Sequence, residues 1–146
     1  MNNRIQYQNV AKDKIKILYD MEKELKKASV DAHLQELVKI RASQINGCAF
    51  CLAMHTKDAR KIGVSEEEIF LLNAWDDTNI YSEKTKLALE LTEAITLITA
   101  TGVPDALYQR VREEFSEEEY TDLVFVINQI NFWNRLSISM GNEHNV

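Results

Sequence analysis

The chain has 146 residues, 45% hydrophobic and 27% charged, a composition that fits one folded domain over residues 1–146 and excludes a disordered chain. Its formal net charge is −6, and the lysines between positions 12 and 27 interleave with Asp13, Asp20, Glu22 and Glu24, so no basic stripe offers itself to nucleic acid. No apolar run approaches the ~20 residues that span a bilayer, and residues 1–8 are polar where a leader would be apolar, so the expectation is a cytoplasmic protein with no membrane partner.

One proline and four glycines in so long a chain favour long helices over many short strands. The first helix is expected at 10–28, where Ile15, Leu18, Met21 and Leu25 recur at steps of three and four. Asp31 caps a second, which carries Leu34, Leu37, Val38 and Ile45 and stops at Asn46-Gly47. A third opens at Cys48 and runs to Ile62, ended by Gly63. Ser65 and Glu68 form the capping box of a fourth, reaching Trp75. After a polar loop at 76–80, Ser82 caps a fifth helix through Ala100. A sixth starts at Pro104 and reaches Phe115. Ser116 and Glu119 form a second capping box for the last helix, 117–140, which Gly141 ends.

That last helix carries Leu123, Val124, Phe125, Val126, Ile127, Ile130, Phe132, Trp133, Leu136 and Ile138, which cover most of its circumference. A helix apolar nearly all round needs burial on several sides. A domain this small has little to wrap it with, so the pattern points to a homo-oligomer with this helix at its centre or interface.

The chemistry concentrates around the second helix reversal. Cys48 and Cys51 are three apart at a helix start, on one face, where two sulfurs can join. The helix start stabilises a thiolate, the reactive form of cysteine, and by that argument favours Cys48 as the activated sulfur. His55 follows Cys51 by four residues and Cys48 by seven, on the same face, and can carry a proton at neutral pH. Glu36 lies on the preceding helix. If the two helices fold back at Gly47, Glu36 stands about 16 Å and His55 about 12 Å from the turn at 1.5 Å per residue, and the side chains come level. A carboxylate beside an imidazole orients it and raises its basicity. Two other readings exist: inert buried thiols, or a zinc site of Cys48, Cys51 and His55 with Glu36 or His33 as fourth ligand. Zinc sites usually combine two spaced pairs, and no second C-x-x-C or H-x-x-x-H is present. His144, near the C-terminus, is given no role.

At these residues the run E-L-V-K-I-R-A-S-Q-I-N-G-C-A-F-C-L-A-M-H-T-K-D-A-R-K-I-G-V (36–64) resembles the carboxymuconolactone decarboxylase superfamily, and within it the alkylhydroperoxidase D-like (AhpD-like) single-domain branch. Leu72-Asn73-Ala74-Trp75, Tyr81-Ser82-Glu83 and Ile130-Asn131-Phe132-Trp133-Asn134-Arg135 fit the same family, so the likeness covers most of the chain. The resemblance implies an all-α AhpD-like fold of about seven helices, assembled as a homo-oligomeric trimer or hexamer. It implies antioxidant defence by a thiol-dependent peroxidase. An organic hydroperoxide oxidises one cysteine to a sulfenic acid, and the other condenses with it to a disulfide. A lipoyl or thioredoxin-like dithiol then restores the pair. No bound cofactor is called for. Glu36 and His55 match the family's proton relay, and Cys51 is the attacking sulfur by that analogy, so both cysteines stand as candidates. Two departures are visible. The better characterised AhpD enzymes carry a histidine just before the second cysteine, where this chain has Phe50, and they have an extra helical half. The alternative activity is a general dithiol–disulfide oxidoreductase with weak peroxidase turnover; the decarboxylases of the superfamily lack the cysteine pair. Cys51→Ser is expected to abolish the intramolecular disulfide, read as a mass difference between oxidised and reduced protein; a surviving bridge would mean that the motif has been misread.

Overall fold

Capping chemistry sets most helix boundaries in the structure, a computed structural model that describes residues 4–144. Residues 1–3, which open the polar stretch noted above, and residues 145–146 lie outside the described residues. Among the described residues there are nine α-helices, one 3₁₀ helix and no strand. They are α1 (Tyr7–Val10), α2 (Lys12–Leu25), α3 (Ala32–Asn46), α4 (Ala49–Lys61), α5 (Glu66–Phe70), the 3₁₀ helix (Leu72–Asp77), α6 (Glu83–Thr96), α7 (Ile98–Thr101), α8 (Asp105–Glu114) and α9 (Glu117–Met140). None is long and apolar enough to cross a membrane. Asp31 Oδ1 accepts from Leu34 N at 2.8 Å, and Ser82 Oγ from Thr85 N at 3.1 Å. Ser65 and Ser116 head complete capping boxes with Glu68 and Glu119.

Three expected helices are interrupted. The first begins at Lys12, after a break at Ala11 (φ −121°, ψ 41°), and stops at Leu25. Gln35 Nε2 donates to the carbonyls of Leu25 and Val30, at 3.0 and 2.8 Å, and so satisfies the freed end of α2. The helix expected through Trp75 divides at Leu71 into α5 and the 3₁₀ helix. Ile69, Leu72 and Trp75 recur every three residues, the 3₁₀ period, and line up toward the core. The helix expected through Ala100 breaks at Leu97 (φ −101°, ψ 39°), where Thr96, Ile98, Thr99 and Thr101 crowd β-branched side chains together.

α3 occupies the middle of the molecule and packs against α4, α6 and α9. One of its faces, Leu34 and Val38, joins Leu91 and Ile95 of α6, Val111 of α8 and Leu123, Val126 and Ile127 of α9. Another, Leu37 and Ile40, meets Ala59 of α4, Leu72, Trp75, Tyr81 and Leu89. Each fully buried aliphatic side chain contributes about 1.5–3 kcal/mol. α3 is thus the central helix of the chain, while Phe125, Phe132 and Ile138 of α9 face outward, about half exposed.

A polar chain runs through this packing. Asn46, the last residue of α3, donates from Nδ2 to Asn131 Oδ1 and Asn134 Oδ1 on α9, both at 2.9 Å. Asn131 Nδ2 reaches Thr96 Oγ1 at 3.0 Å and Ile127 O at 2.9 Å. Asn134 Nδ2 donates to Ser43 Oγ at 2.9 Å, and Ser43 Oγ to Lys39 O at 2.7 Å. Buried amides of this kind stabilise only while every partner is present. Asn134→Ala is therefore expected to cost about 1–3 kcal/mol, measured from urea unfolding midpoints; an unchanged midpoint would mean that the network does not hold α3 to α9.

Candidate active site

The site is built outward from the end of α3. Gly47 adopts φ 68°, a left-handed conformation that suits glycine and reverses the chain. Cys48 is the N-cap of α4, one position before the helix start expected for it. Its N–H bonds to Ser43 O at 3.0 Å, and its Sγ accepts from Cys51 N–H at 3.3 Å. Cys48 and Cys51 are joined as a disulfide with Cα atoms 5.3 Å apart, and each is 2% exposed. A sulfur at the N-cap faces unpaired amides and the positive end of the helix, the setting that favours thiolate.

α4 folds back along α3, and Glu36 meets His55 as expected: Glu36 Oε2 lies 3.0 Å from His55 Nδ1. Lys39, one turn along α3, sets its Nζ 3.6 Å from Glu36 Oε1. Burial pushes the Glu36 carboxyl up, but the hydrogen bond with His55 and the charge of Lys39 outweigh it and hold the group below its usual value. An ionised carboxylate only accepts, so Nδ1 of His55 carries the proton and Nε2 is left to take or give another.

Cys51, His55 and Glu36 open on a cleft of about 490 Å³ between α4 and α9, roofed by α1 and α2. Its walls are largely apolar: Phe50 and Met54 from α4, Ile130 and Trp133 from α9, Ile15 and Tyr19 from α2. Cys48 does not line it. The roof is held by side chains. Trp133 Nε1 donates to Glu22 Oε1 at 2.8 Å, and the rings of Tyr19 and Trp133 lie 5.8 Å apart. Arg4 Nη1 donates to the carbonyls of Ile138 and Ser139, at 2.9 and 2.7 Å, and Asn142 Nδ2 to Tyr7 Oη at 2.9 Å.

The donor set considered for zinc is not assembled. His33 Nε2 is paired with Glu68 Oε1 at 2.7 Å, and the two sulfurs are bonded to each other. Among the described residues no three His, Cys, Asp or Glu side chains are grouped to hold a metal ion. The sequence reading missed Lys39, whose spacing of three from Glu36 on a helix was a usable signal. It also missed the indole N–H of Trp133, which was counted only as apolar.

The sign of the Glu36 shift gives a test. Because its folded-state value lies below the ordinary 4.5, Glu36 stabilises the fold fully above that pH and loses the contribution as pH falls through the lower value. Glu36→Gln is expected to be less stable than wild type at pH 6, by a margin that shrinks toward pH 3. Urea midpoints of both proteins at the two pH values check this, and a margin that grows in acid would reverse the assignment.

The profile of the Carboxymuconolactone decarboxylase family matches residues 16–94, from α2 into α6 with both cysteines inside. The uncharacterized protein YdfG of Bacillus subtilis (strain 168) is 55% identical over 143 residues, 98% of this chain and 97% of that one. The uncharacterized protein YnjA of Escherichia coli (strain K12) is 27% identical over 117 residues, 80% of this chain and 64% of the other. A protein of unknown function from Agrobacterium tumefaciens, described as a candidate antioxidant defence protein AhpD, superposes with a TM-score of 0.94 at 35% identity over 98% of both chains. The alkylhydroperoxidase AhpD core of an uncharacterized peroxidase-related protein from Ralstonia eutropha JMP134 shares the fold, with a TM-score of 0.82 at 15% identity over 95% of this chain and 74% of that one. With the family profile spanning more than half of its length and a relative 55% identical along nearly all of it, the chain belongs to the carboxymuconolactone decarboxylase family and has its AhpD-like all-helical fold.

Proposed function

We propose that the protein is a thiol-dependent peroxidase that reduces organic hydroperoxides to alcohols through the Cys48–Cys51 pair. The observation that carries this reading is that Cys51 and the Glu36–His55 pair line one cleft, with Cys48 bonded to Cys51 from the helix N-cap just behind it. Cys51, which lines the cleft, is the attacking sulfur. Its thiolate takes the terminal oxygen of R–O–O–H, the O–O bond breaks, and the alkoxide leaves as R–OH with a proton from His55. The Cys51 sulfenic acid then condenses with the Cys48 thiol, forming the S–S bond and releasing water. Glu36 holds the imidazole in place and balances its positive form. The name of the Agrobacterium relative, antioxidant defence, is compatible with this chemistry.

A dithiol closes the cycle: it attacks Cys51, Cys48 leaves as the thiolate that the helix start stabilises, and the donor is oxidised to its own disulfide. Because both sulfurs are buried, a slender lipoyl-type arm fits the cleft better than a folded thioredoxin-like protein or a bulky disulfide substrate. Such a cycle belongs in a reducing cytoplasm. The outward apolar face of α9 is the face on which a trimer or hexamer would build.

The deciding experiment is a thiol count on reduced protein before and after one equivalent of cumene hydroperoxide. Both thiols are expected to disappear within seconds, with the protein lighter by about two hydrogens. His55→Ala is expected to slow this by about 10²-fold or more, the usual contribution of a positioned acid or base. Retention of both thiols in the wild type would overturn the peroxidase reading, and an unchanged rate in the variant would remove His55 from the reaction.

A further inference from the structure

The cleft contains a group that the thiol chemistry does not use. Ser137 lies on α9, one turn beyond Trp133, and is only 4% exposed. Its Oγ is the buried side-chain oxygen that finds no hydrogen-bond partner in the protein among the described residues. The usual remedy is close by, since a helical hydroxyl can bond to the carbonyl four residues back. Ser43, Thr92 and Thr121 do so here, each at 2.7 Å. Ser137 does not, and a buried hydroxyl left unpaired is costly.

Its position suggests what the oxygen is kept for. Ser137 shares the face of α9 that carries Ile130 and Trp133 and lines the same cleft as Cys51 and His55. A volume near 490 Å³ that combines an apolar wall of Phe50, Met54, Ile130 and Trp133 with polar groups such as Glu36, Lys39 and His55 suits one small organic molecule with a polar end. Ser137 lines the cleft while its oxygen is itself covered, and its χ1 has three staggered wells through which the hydroxyl can reorient.

We propose that Ser137 is a ligand-binding residue: its hydroxyl bonds to the oxygen of a compact apolar hydroperoxide, and of the alcohol formed from it, while the hydrocarbon part lies against Phe50, Met54 and Trp133. The choice of ligand rests on the peroxidase reading above. The hydroxyl selects molecules that carry oxygen at one end, and the aromatic wall selects those with an apolar body.

The test uses binding to the full-length disulfide form, where no turnover occurs. The probes are 2-phenyl-2-propanol and isopropylbenzene, the same skeleton without the hydroxyl, each titrated while the Trp133 indole N–H is followed by NMR. The wild type is expected to prefer the alcohol. In Ser137→Ala alcohol binding should weaken about three- to tenfold, the worth of one net hydrogen bond. Isopropylbenzene should bind as before, and the thermal midpoint should stay level or rise because an unpaired buried hydroxyl has gone. Equal alcohol binding by both proteins, parallel loss of both probes, or no binding by the wild type overturns the proposal. The two readings fail separately. Turnover of hydroperoxide with no alcohol preference keeps the peroxidase and removes Ser137. An alcohol preference abolished in Ser137→Ala, in a protein that leaves hydroperoxide untouched, keeps the subsite and removes the peroxidase.

Discussion

The bond from Asn46 to Asn131 and Asn134 fixes where α3 ends against α9, and the geometry of the site follows from it. Gly47 turns the chain at that point, Cys48 caps the next helix, and α4 can only run back along α3. The distance from the turn then brings Glu36 and His55 to the same level, 3.0 Å apart. A side-chain amide buried with its partners is a demanding anchor, since losing any one of them strands the others. That demand gives the anchor its specificity. An apolar contact tolerates a slide of an ångström or two, whereas a donor shared between two acceptors does not.

Charge is handled differently on the two sides of the cleft. On the α3 side, Glu36 is partly buried but compensated by Lys39 and His55, so a full negative charge is kept under apolar cover. On the α4 side, the apolar Phe50 stands just before Cys51, where the better characterised AhpD enzymes carry a histidine. The aromatic ring enlarges the apolar wall of the cleft.

Local signals in the sequence were sufficient wherever the cause was local. Asp31, Ser65, Ser82 and Ser116 were legible as caps because a cap depends on three or four neighbouring residues. The cysteine spacing and the pairing of Glu36 with His55 were legible because a single helical reversal links them. What escaped reading depends on remote partners. The end of α2 at Leu25 is set by Gln35 on the next helix. The break at Leu71 lets Trp75 reach Glu93 on α6, at 2.7 Å, in a contact that periodicity cannot reveal. The central place of α3 was not legible, because a helix with fewer apolar residues on well-spaced faces can be covered by more neighbours than the apolar run of α9, part of which faces outward. Ser137 carried no signal at all, since an unpaired hydroxyl is a property of its surroundings.

The placement of Cys48 at the N-cap has a further consequence. The amide of Cys51 that approaches Cys48 Sγ finds a neutral disulfide sulfur in this structure, and would find a charged, stronger acceptor when Cys48 leaves as a thiolate on reduction. The first turn of α4 is therefore better capped in the reduced form, and helix stability and electron acceptance become two readings of one equilibrium. Loosening the helix start, for instance by disturbing Asn46 or Gly47, would make the pair a weaker oxidant. In a reducible pair, the anchor that positions the site would thus also bear on how readily it accepts electrons.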